Sequence, residues 1–314
     1  MDRRLFLGLS TSAALFSGRA FGEEDTVLSA PPEEALVDTD GMEQFAPWPP
    51  GFSAPVASAD HGNAEPPEFY VRIARILMRG APTGCRPYDV ARYFYDIRER
   101  KITESVRKKL ENLFADQTPP VPFSLEFVSL FAYDWEQNYY FNPVIVQIIN
   151  GTKTSAYDGD LTPWCASFTN WCIARSKASY TRTIAFDNLL SYGTGSASSG
   201  SFRCWGTQTD EPQEGDLVVF ARKTTELQGC PVNLNNAQGH VGFYVGKRTR
   251  ADGSVRYRVL GGNQGFIGTS APGDTPGSLV SPKDIRNAVS IREYGKAWSD
   301  RVFHSFRTSP TLQG

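Results

Sequence analysis

Apolar side chains recur at helical spacing in the segment that follows residue 67. The first stretch places on one face Phe69, Ile73, Ile76 and Leu77, which is the pattern of an amphipathic helix. The same spacing predicts a second helix over 88–98 and a third over 103–115. No pattern in these helices indicates chemistry, and we interpret residues 68–135 as a helical subdomain.

Two further helices are predicted in the second half of the chain. An apolar run that begins at Pro143 indicates a buried helix. Another is predicted from Thr162 to about residue 178, because Thr162 is a good N-cap residue and Pro163 suits the first helical position. Phe168 and Cys172 lie on one face of this helix, and we expect that face to be buried.

Three short strands follow these helices in the sequence. Leu217–Phe220 and Gly239–Gly246 are apolar runs of strand length bounded by glycine. The Asp252-Gly253 pair is a hairpin signal that joins the second strand to a third strand over Val255–Leu260. Together with the helices, the strands predict an α+β fold with a small antiparallel sheet.

The N-terminal region has the features of an export signal followed by a linker. Arg3 and Arg4 precede a moderately apolar stretch that ends in small residues at Ala20–Gly22, as in a twin-arginine signal peptide. Residues 23–67 contain eight prolines and no lysine or arginine, a composition typical of a disordered tether. We therefore predict a signal peptide over 1–22, a linker over 23–67 and a periplasmic or secreted mature protein.

The overall composition excludes several classes of protein. Apolar residues make up 40% and charged residues 21% of 314 residues, and the net charge is -2. A weakly acidic chain has no electrostatic footprint for nucleic acid, and after the N-terminus no apolar run has the length of a membrane span. With three histidines and no Cys-x-x-Cys pair, we expect no metal and no organic cofactor.

Cys165 is the first candidate for chemistry, because the helix predicted from Thr162 places it in the first turn. A thiol there meets the positive end of the helix dipole, which favours the thiolate. A thiolate is a strong nucleophile toward a carbonyl carbon. Helix position alone favours a buried structural cysteine, and it is the downstream pattern that decides for the nucleophile.

The downstream pattern adds a histidine and an amide in a fixed order. His240 stands at the start of the second predicted strand, and the third predicted strand ends in Gly261-Gly262-Asn263-Gln264. A helix-start cysteine, a strand-start histidine and an amide at the end of the next strand follow the order of a papain-like Cys-His-Asn site.

Four motifs in this order resemble the CHAP family, the cysteine, histidine-dependent amidohydrolases and peptidases, and the related NlpC-type peptidoglycan peptidases. They are TPWCASFTNWC, GDLVVF, GHVGFYVG and VLGGNQ, within roughly residues 140–265. The resemblance implies a papain-like domain, with the nucleophile helix packed on the sheet, and peptidoglycan as substrate. It assigns the nucleophile to Cys165, the base to His240 and an orienting role to Asn263.

The sequence departs from the family at two places. Many CHAP domains have a glutamate two residues before the asparagine, where this chain has Gly261. The loop between Phe220 and His240 is long and contains Cys230. The first departure leaves the third catalytic residue open, and the second indicates a substrate-facing insertion or a disulfide.

Hairpin register gives two answers for the third residue. A two-residue turn at Asp252-Gly253 pairs residue 251 with residue 254, so that the numbers of paired residues have an odd sum. This odd register puts Asn263 on the face of His240. Matching the apolar faces of the two strands needs an even register, which puts Gln264 there instead, since a slip of one residue inverts the faces. A bulge would reconcile the two registers. We prefer Asn263 as catalytic and assign Gln264, with Trp164, to substrate binding.

The remaining cysteines bear on the long loop. In an oxidising compartment Cys85, Cys172, Cys204 and Cys230 allow three pairings. We favour Cys204–Cys230, because both lie in loop-rich sequence and their bond would tie down the insertion. Cys172 is the doubtful member, since its helical face points into the core.

These features predict an exported peptidoglycan hydrolase with a CHAP-like catalytic domain over 136–314. It would cut an amide bond of the wall peptide through a thioester of Cys165. Two alternatives use the same domain: an acyltransferase or transpeptidase in which an amine replaces water, and an inactive wall-binding module.

Overall fold

The computed structural model describes residues 66–135, 141–152, 159–177, 192–223, 230–231, 238–265 and 287–309. The predicted signal peptide and all but the last two residues of the predicted linker lie outside these ranges. The described part of the chain is α+β with an antiparallel sheet.

Six α-helices precede the sheet in the sequence. Their bounds are α1 Glu68–Gly80, α2 Pro87–Arg98, α3 Glu104–Ala115, α4 Leu125–Ser129, α5 Pro143–Asn150 and α6 Cys165–Lys177. The second and third lie within a residue of their predicted limits. N-terminal signals account for this agreement, as in α3, where the Thr103 hydroxyl accepts from the Val106 amide at 3.4 Å. The apolar run from Pro143 forms the predicted buried helix.

Seven strands in the described residues form one antiparallel sheet. Their bounds are β1 Thr207–Thr209, β2 Leu217–Arg222, β3 Gly239–Thr249, β4 Val255–Gly265, β5 Asn287–Tyr294, β6 Ala297–Trp298 and β7 Arg301–Thr308. The order is β1-β7-β2-β3-β4-β5, with β6 paired to β7. The last strand thus lies in the interior of the sheet, beside β2, and the sheet is larger than the three predicted strands.

One face of the sheet is covered by the helices. Helix α6 packs on β3 and β4, and the helices of residues 68–135 belong to the same apolar core. The buried guanidinium of Arg175 in α6 donates to the backbone carbonyls of Arg79 and Ala81, both at 2.8 Å. These helices therefore pack on α6 itself. Together with α6, we call them the helical layer. The predicted domain boundary at residue 136 stays a prediction.

The opposite face of the sheet carries a second, smaller core that is rich in aromatic rings. Its buried members are Val218, Phe220, Tyr244, Tyr257, Val259, Tyr294 and Phe306. We call this cluster the aromatic face. It depends on β5 and β7, which supply Tyr294 and Phe306 and which lie beyond the region that resembles the CHAP family.

The register of the β3–β4 hairpin differs from the two-residue turn expected at Asp252-Gly253. Arg250 and Ser254 close the turn through an amide–carbonyl hydrogen bond of 2.9 Å, which leaves three residues in the loop. Within this loop only Gly253 is left-handed, at φ +77°, whereas a two-residue type I′ turn needs positive φ at both positions. The prediction of a two-residue turn was wrong, and the register at the tip is even.

A β-bulge then restores the odd register toward the site. Tyr244 pairs with Val259 and Gly246 with Arg258, so that Val245 is the extra residue. Beyond the bulge Phe243 pairs with Leu260, and the numbers of paired residues again have an odd sum. This is the reconciliation that the sequence left open.

Cys204 and Cys230 form a disulfide, with their Cα atoms 5.4 Å apart. The prediction for this pair is confirmed, and it ties the long loop to the short 3-10 helix Ser199–Cys204. Cys85, Cys165 and Cys172 are free thiols. Among the described residues no helix is long and apolar enough to cross a bilayer.

Candidate active site

Cys165 is the first residue of α6. The helix begins two residues later than predicted, because the Thr162 amide donates to the Gly159 carbonyl at 3.3 Å and so belongs to the preceding 3-10 turn. Trp164 takes the N-cap position, and its carbonyl accepts the first helical bond from Phe168 at 2.8 Å. The prediction of Thr162 as cap was wrong, but the thiol remains in the first turn.

The sulfur of Cys165 lies in a shell of backbone amides. Burial raises the pKa of the thiol, while hydrogen bonds from the amides of Val241, Ala166 and Cys165 itself, together with the charge of Arg301, lower this pKa. The side chain is 6% exposed. Amides that point at one sulfur stabilise negative charge on it, and two of these come from the helix start, where they have no partner within the helix.

The start of α6 lies against β3 and β4. The ladder between these strands ends at the pair Phe243 and Leu260, and beyond it the Val241 amide bonds to Cys165. In β4, the Cα of Gly262 lies so near the Trp164 ring that a Cβ would overlap it. A larger residue at 262 would displace the start of α6.

Asn263 lies in a β-bulge of β4. Gly261 pairs with Ser290 and Gln264 with Ala288, so that two residues of β4 stand opposite Val289. Asn263 is left-handed at φ +54°, and asparagine tolerates this conformation better than other side chains except glycine. Within the described ranges no hydrogen bond joins its side chain to His240. Its catalytic role stays a prediction, and its conformation gives an independent reason for its presence.

His240 is the second residue of β3, as predicted, and is 4% exposed. Its ring contacts two aromatic rings from the C-terminal strands, that of Tyr294 with centroids 5.6 Å apart and that of Trp298 at 6.2 Å. The buried Nε2 has no hydrogen-bond partner among the described residues. An unpartnered buried polar atom is costly in a structural position, which favours a functional role for this ring.

Burial holds both candidate catalytic groups in their neutral forms. It lowers the pKa of His240 to about 3, helped by the charges of Arg301 and Arg292. It also raises the pKa of Cys165. The resting state indicated by these shifts is a neutral thiol and a neutral imidazole, and not a preformed ion pair. The charge of Arg301 acts on both Cys165 and His240, and the amide that bonds to the sulfur belongs to Val241, the residue after His240. That the two side chains act together stays a prediction.

The two predicted substrate-binding residues are both interior. Trp164 is 0% and Gln264 1% exposed. The amide of Gln264 donates to the Ser290 carbonyl at 2.8 Å and accepts the Tyr294 hydroxyl at 2.7 Å. Gln264 therefore fixes the ring that contacts His240. A role for either residue in substrate binding stays a prediction.

Sequence reasoning missed the residues that surround His240. Tyr294, Trp298, Arg292 and Arg301 come from β5, β6 and β7, and the resemblance ends before these strands. Val289 and Ile291 alternate with the polar residues Ser290 and Arg292, and this is the signal that could have identified β5. His304, the third histidine, is the extra residue of a β-bulge in β7, and His61 lies outside the described residues.

No group of three or more histidine, cysteine, aspartate or glutamate side chains with the geometry of a metal site occurs in the described ranges. Comparison of the chain with protein-family models, with curated proteins and with solved structures returns no match.

Proposed function

We propose that the chain is an exported cysteine amidohydrolase that cleaves an amide bond of the peptidoglycan peptide, with a papain-like arrangement of Cys165 and His240. One observation carries the proposal: Cys165 is the first residue of a helix, and the backbone amides that lower the pKa of its thiol include that of Val241, the residue that follows the buried His240. The substrate follows from the resemblance to the CHAP family and from the predicted export signal.

The chemistry starts from neutral groups. His240 accepts the thiol proton as the Cys165 sulfur bonds to the carbonyl carbon and the π electron pair moves to the oxygen. The backbone amide of Cys165 would stabilise that oxyanion. The imidazolium then protonates the leaving amine as the C–N bond breaks, which leaves a thioester.

Hydrolysis completes the cycle. His240 takes a proton from water as the water oxygen attacks the thioester carbonyl. The C–S bond then breaks, the acid is released, and the imidazolium returns its proton to the sulfur. The shell of amides around the sulfur favours this second step, because it stabilises the departing thiolate.

The decisive experiment is digestion of purified peptidoglycan by the mature protein and by Cys165→Ala. We expect soluble fragments from the wild type and none from the variant, and mass spectrometry of the fragments identifies the bond that is cut. Cys85→Ala is the matched control, because Cys85 is also a free thiol but lies outside the site. Digestion by Cys165→Ala at the wild-type rate would refute the proposal.

A further inference from the structure

Arg301 lies at the entrance of the candidate site. Its Nε donates to the carbonyl of Gly239, the residue before His240, at 3.3 Å. Its guanidinium lies over the Trp298 ring, 4.7 Å from the centroid, and that ring is 6.2 Å from the ring of His240. The side chain is thus fixed by two contacts that also define the surroundings of the histidine.

The guanidinium is the part of this group that reaches solvent. Its side chain is 24% exposed, whereas Cys165 is 6% and His240 4% exposed. The cation that acts on both groups is therefore more open to solvent than either of them.

The positive charge is only partly neutralised. Asp300 accepts from Arg301 at 2.8 Å and also lies 3.2 Å from Arg222, so one carboxylate serves two guanidinium groups. Arg301 also acts on Cys165, His240 and Tyr294, and its charge lowers the pKa of each of the three. Arg301 is the only cation that acts on all three of these groups among the described residues.

A guanidinium stacked on an indole presents its N–H donors at its edge, in the geometry that matches a carboxylate. Nη2 of Arg301 makes no hydrogen bond to the residues that the structure describes, while Nε and Nη1 are engaged by Gly239 and Asp300. The donors that remain are those a ligand can use.

We propose that Arg301, held on Trp298, forms a carboxylate-binding subsite, and that the enzyme prefers amides with a free carboxylate close to the scissile carbonyl. The inference rests on the proposed function, since it places the carboxylate relative to attack by Cys165. Wall peptides carry free carboxylates and belong to this class of substrate. The subsite would orient the substrate, and a neutral carboxamide in the same place would lose this interaction.

The test uses two small thiol reagents that differ in charge, iodoacetate and iodoacetamide. Both alkylate the thiolate, so that their rate ratio at Cys165 cancels any change in the fraction of thiolate. We expect wild-type protein to favour iodoacetate at Cys165 relative to the exposed thiol of free glutathione. Arg301→Gln should reduce the ratio by about threefold or more, as expected for loss of one nearby charge. Peptide mass spectrometry measures each cysteine separately.

Arg248→Gln is the matched control, because it removes the same charge from an exposed side chain of β3. It should leave the ratio at Cys165 unchanged, and Cys85 is an internal reference in every sample. If Arg301→Gln unfolds, Arg301→Lys and a salt titration of the wild type replace it: the ratio should fall as salt screens the cation.

Equal ratios in the wild type and Arg301→Gln would overturn the subsite. So would failure of both reagents to reach Cys165, because no small anion would then enter the site. Neither result bears on digestion of peptidoglycan by the wild type and Cys165→Ala, so failure of the subsite and failure of the proposed function are distinguishable.

Discussion

Two buried side chains on opposite sides of the sheet, Asp160 and His240, have pKa values that burial displaces in opposite directions. Burial raises the pKa of Asp160 in the helical layer to about 7 and lowers the pKa of His240 on the aromatic face to about 3. The physical cause is the same, since desolvation disfavours the charged form. Asp160 is neutral because it keeps a proton, and His240 is neutral because it lacks one.

The two groups differ in what their polar atoms do. Asp160 Oδ2 accepts from the amides of Trp135 at 2.6 Å and Asn142 at 3.0 Å, and so ties the segment before α5 to the turn before α6. Among the described residues, Asp160 Oδ1 and His240 Nε2 both lack a hydrogen-bond partner. Asp160 therefore joins two backbone segments through one oxygen, whereas no hydrogen bond within the described residues uses Nε2 of His240, the proposed base.

The largest effect expected from this difference is on hydrolysis. His240→Ala should lower the rate of peptidoglycan digestion at least a hundredfold, in the range of about 10²–10⁴ for loss of a general base. Asp160→Asn should digest at a rate near the wild type, because its role is structural. Turbidity loss of a wall suspension measures both.

We also expect His240 and Cys165 to act as a unit in hydrolysis. The variant with both Cys165→Ala and His240→Ala should be little slower than either single variant, since the effects of residues in one mechanism are not additive. If the rate losses of the two single variants multiply in the double variant, His240 acts outside the mechanism of Cys165. Its role would then be structural, like that of Asp160.

The sequence allowed the helical layer to be predicted more completely than the aromatic face. Helices with strong periodicity, such as α2 and α3, follow from local spacing and N-terminal signals alone. The strand position of His240 followed in the same way. The Cys204–Cys230 bond followed from the loop-rich sequence around each cysteine.

The rest depends on contacts that are distant in sequence. Strand β7 lies beside β2 through pairs such as Val218 with Phe306, and no local pattern predicts which strand a C-terminal segment will join. The surroundings of His240 were missed for this reason. The predicted start of α6 was wrong because Thr162 belongs to the preceding 3-10 turn. The predicted hairpin turn was wrong because the loop has three residues, of which only Gly253 is left-handed.

The opposite pKa shifts predict opposite slopes of stability with pH. For Asp160, displaced from 3.8 to about 7, the stabilising contribution is complete below pH 3.8 and is lost as the pH rises through 7. Asp160→Asn should remove this loss, so that the variant gains up to about 4 kcal/mol over the wild type between pH 4 and 8, at ~1.4 kcal/mol per unit. Urea unfolding at the two pH values measures the change, and an unchanged slope would contradict the shift.

For His240 we expect stability to change with pH in the opposite direction. Its pKa is displaced from 6.5 to about 3, so its contribution is complete above pH 6.5 and is lost as the pH falls toward 3. His240→Gln should therefore lose less stability than the wild type between pH 7 and 5, by up to about 2 kcal/mol. Thermal unfolding in matched buffers tests this, and a variant as sensitive to acid as the wild type would show that His240 is not buried in its neutral form.

The smallest expected effect concerns Asn263, in the β-bulge of β4. If its left-handed backbone at φ +54° is its main contribution, Asn263→Gly should keep both stability and hydrolysis. Asn263→Ala should lose about 1–2 kcal/mol, the cost of that conformation for a residue with a Cβ. If the side chain instead orients the His240 ring, Gly and Ala should slow hydrolysis alike while only Ala lowers stability. Unfolding and digestion measured on the wild type and both variants distinguish the backbone role from the side-chain role.

We expect hydrolysis to fall in both variants, because the odd register beyond Val245 directs this part of β4 toward His240. Full activity in Asn263→Gly would restrict the residue to its backbone role and reduce the catalytic set to Cys165 and His240.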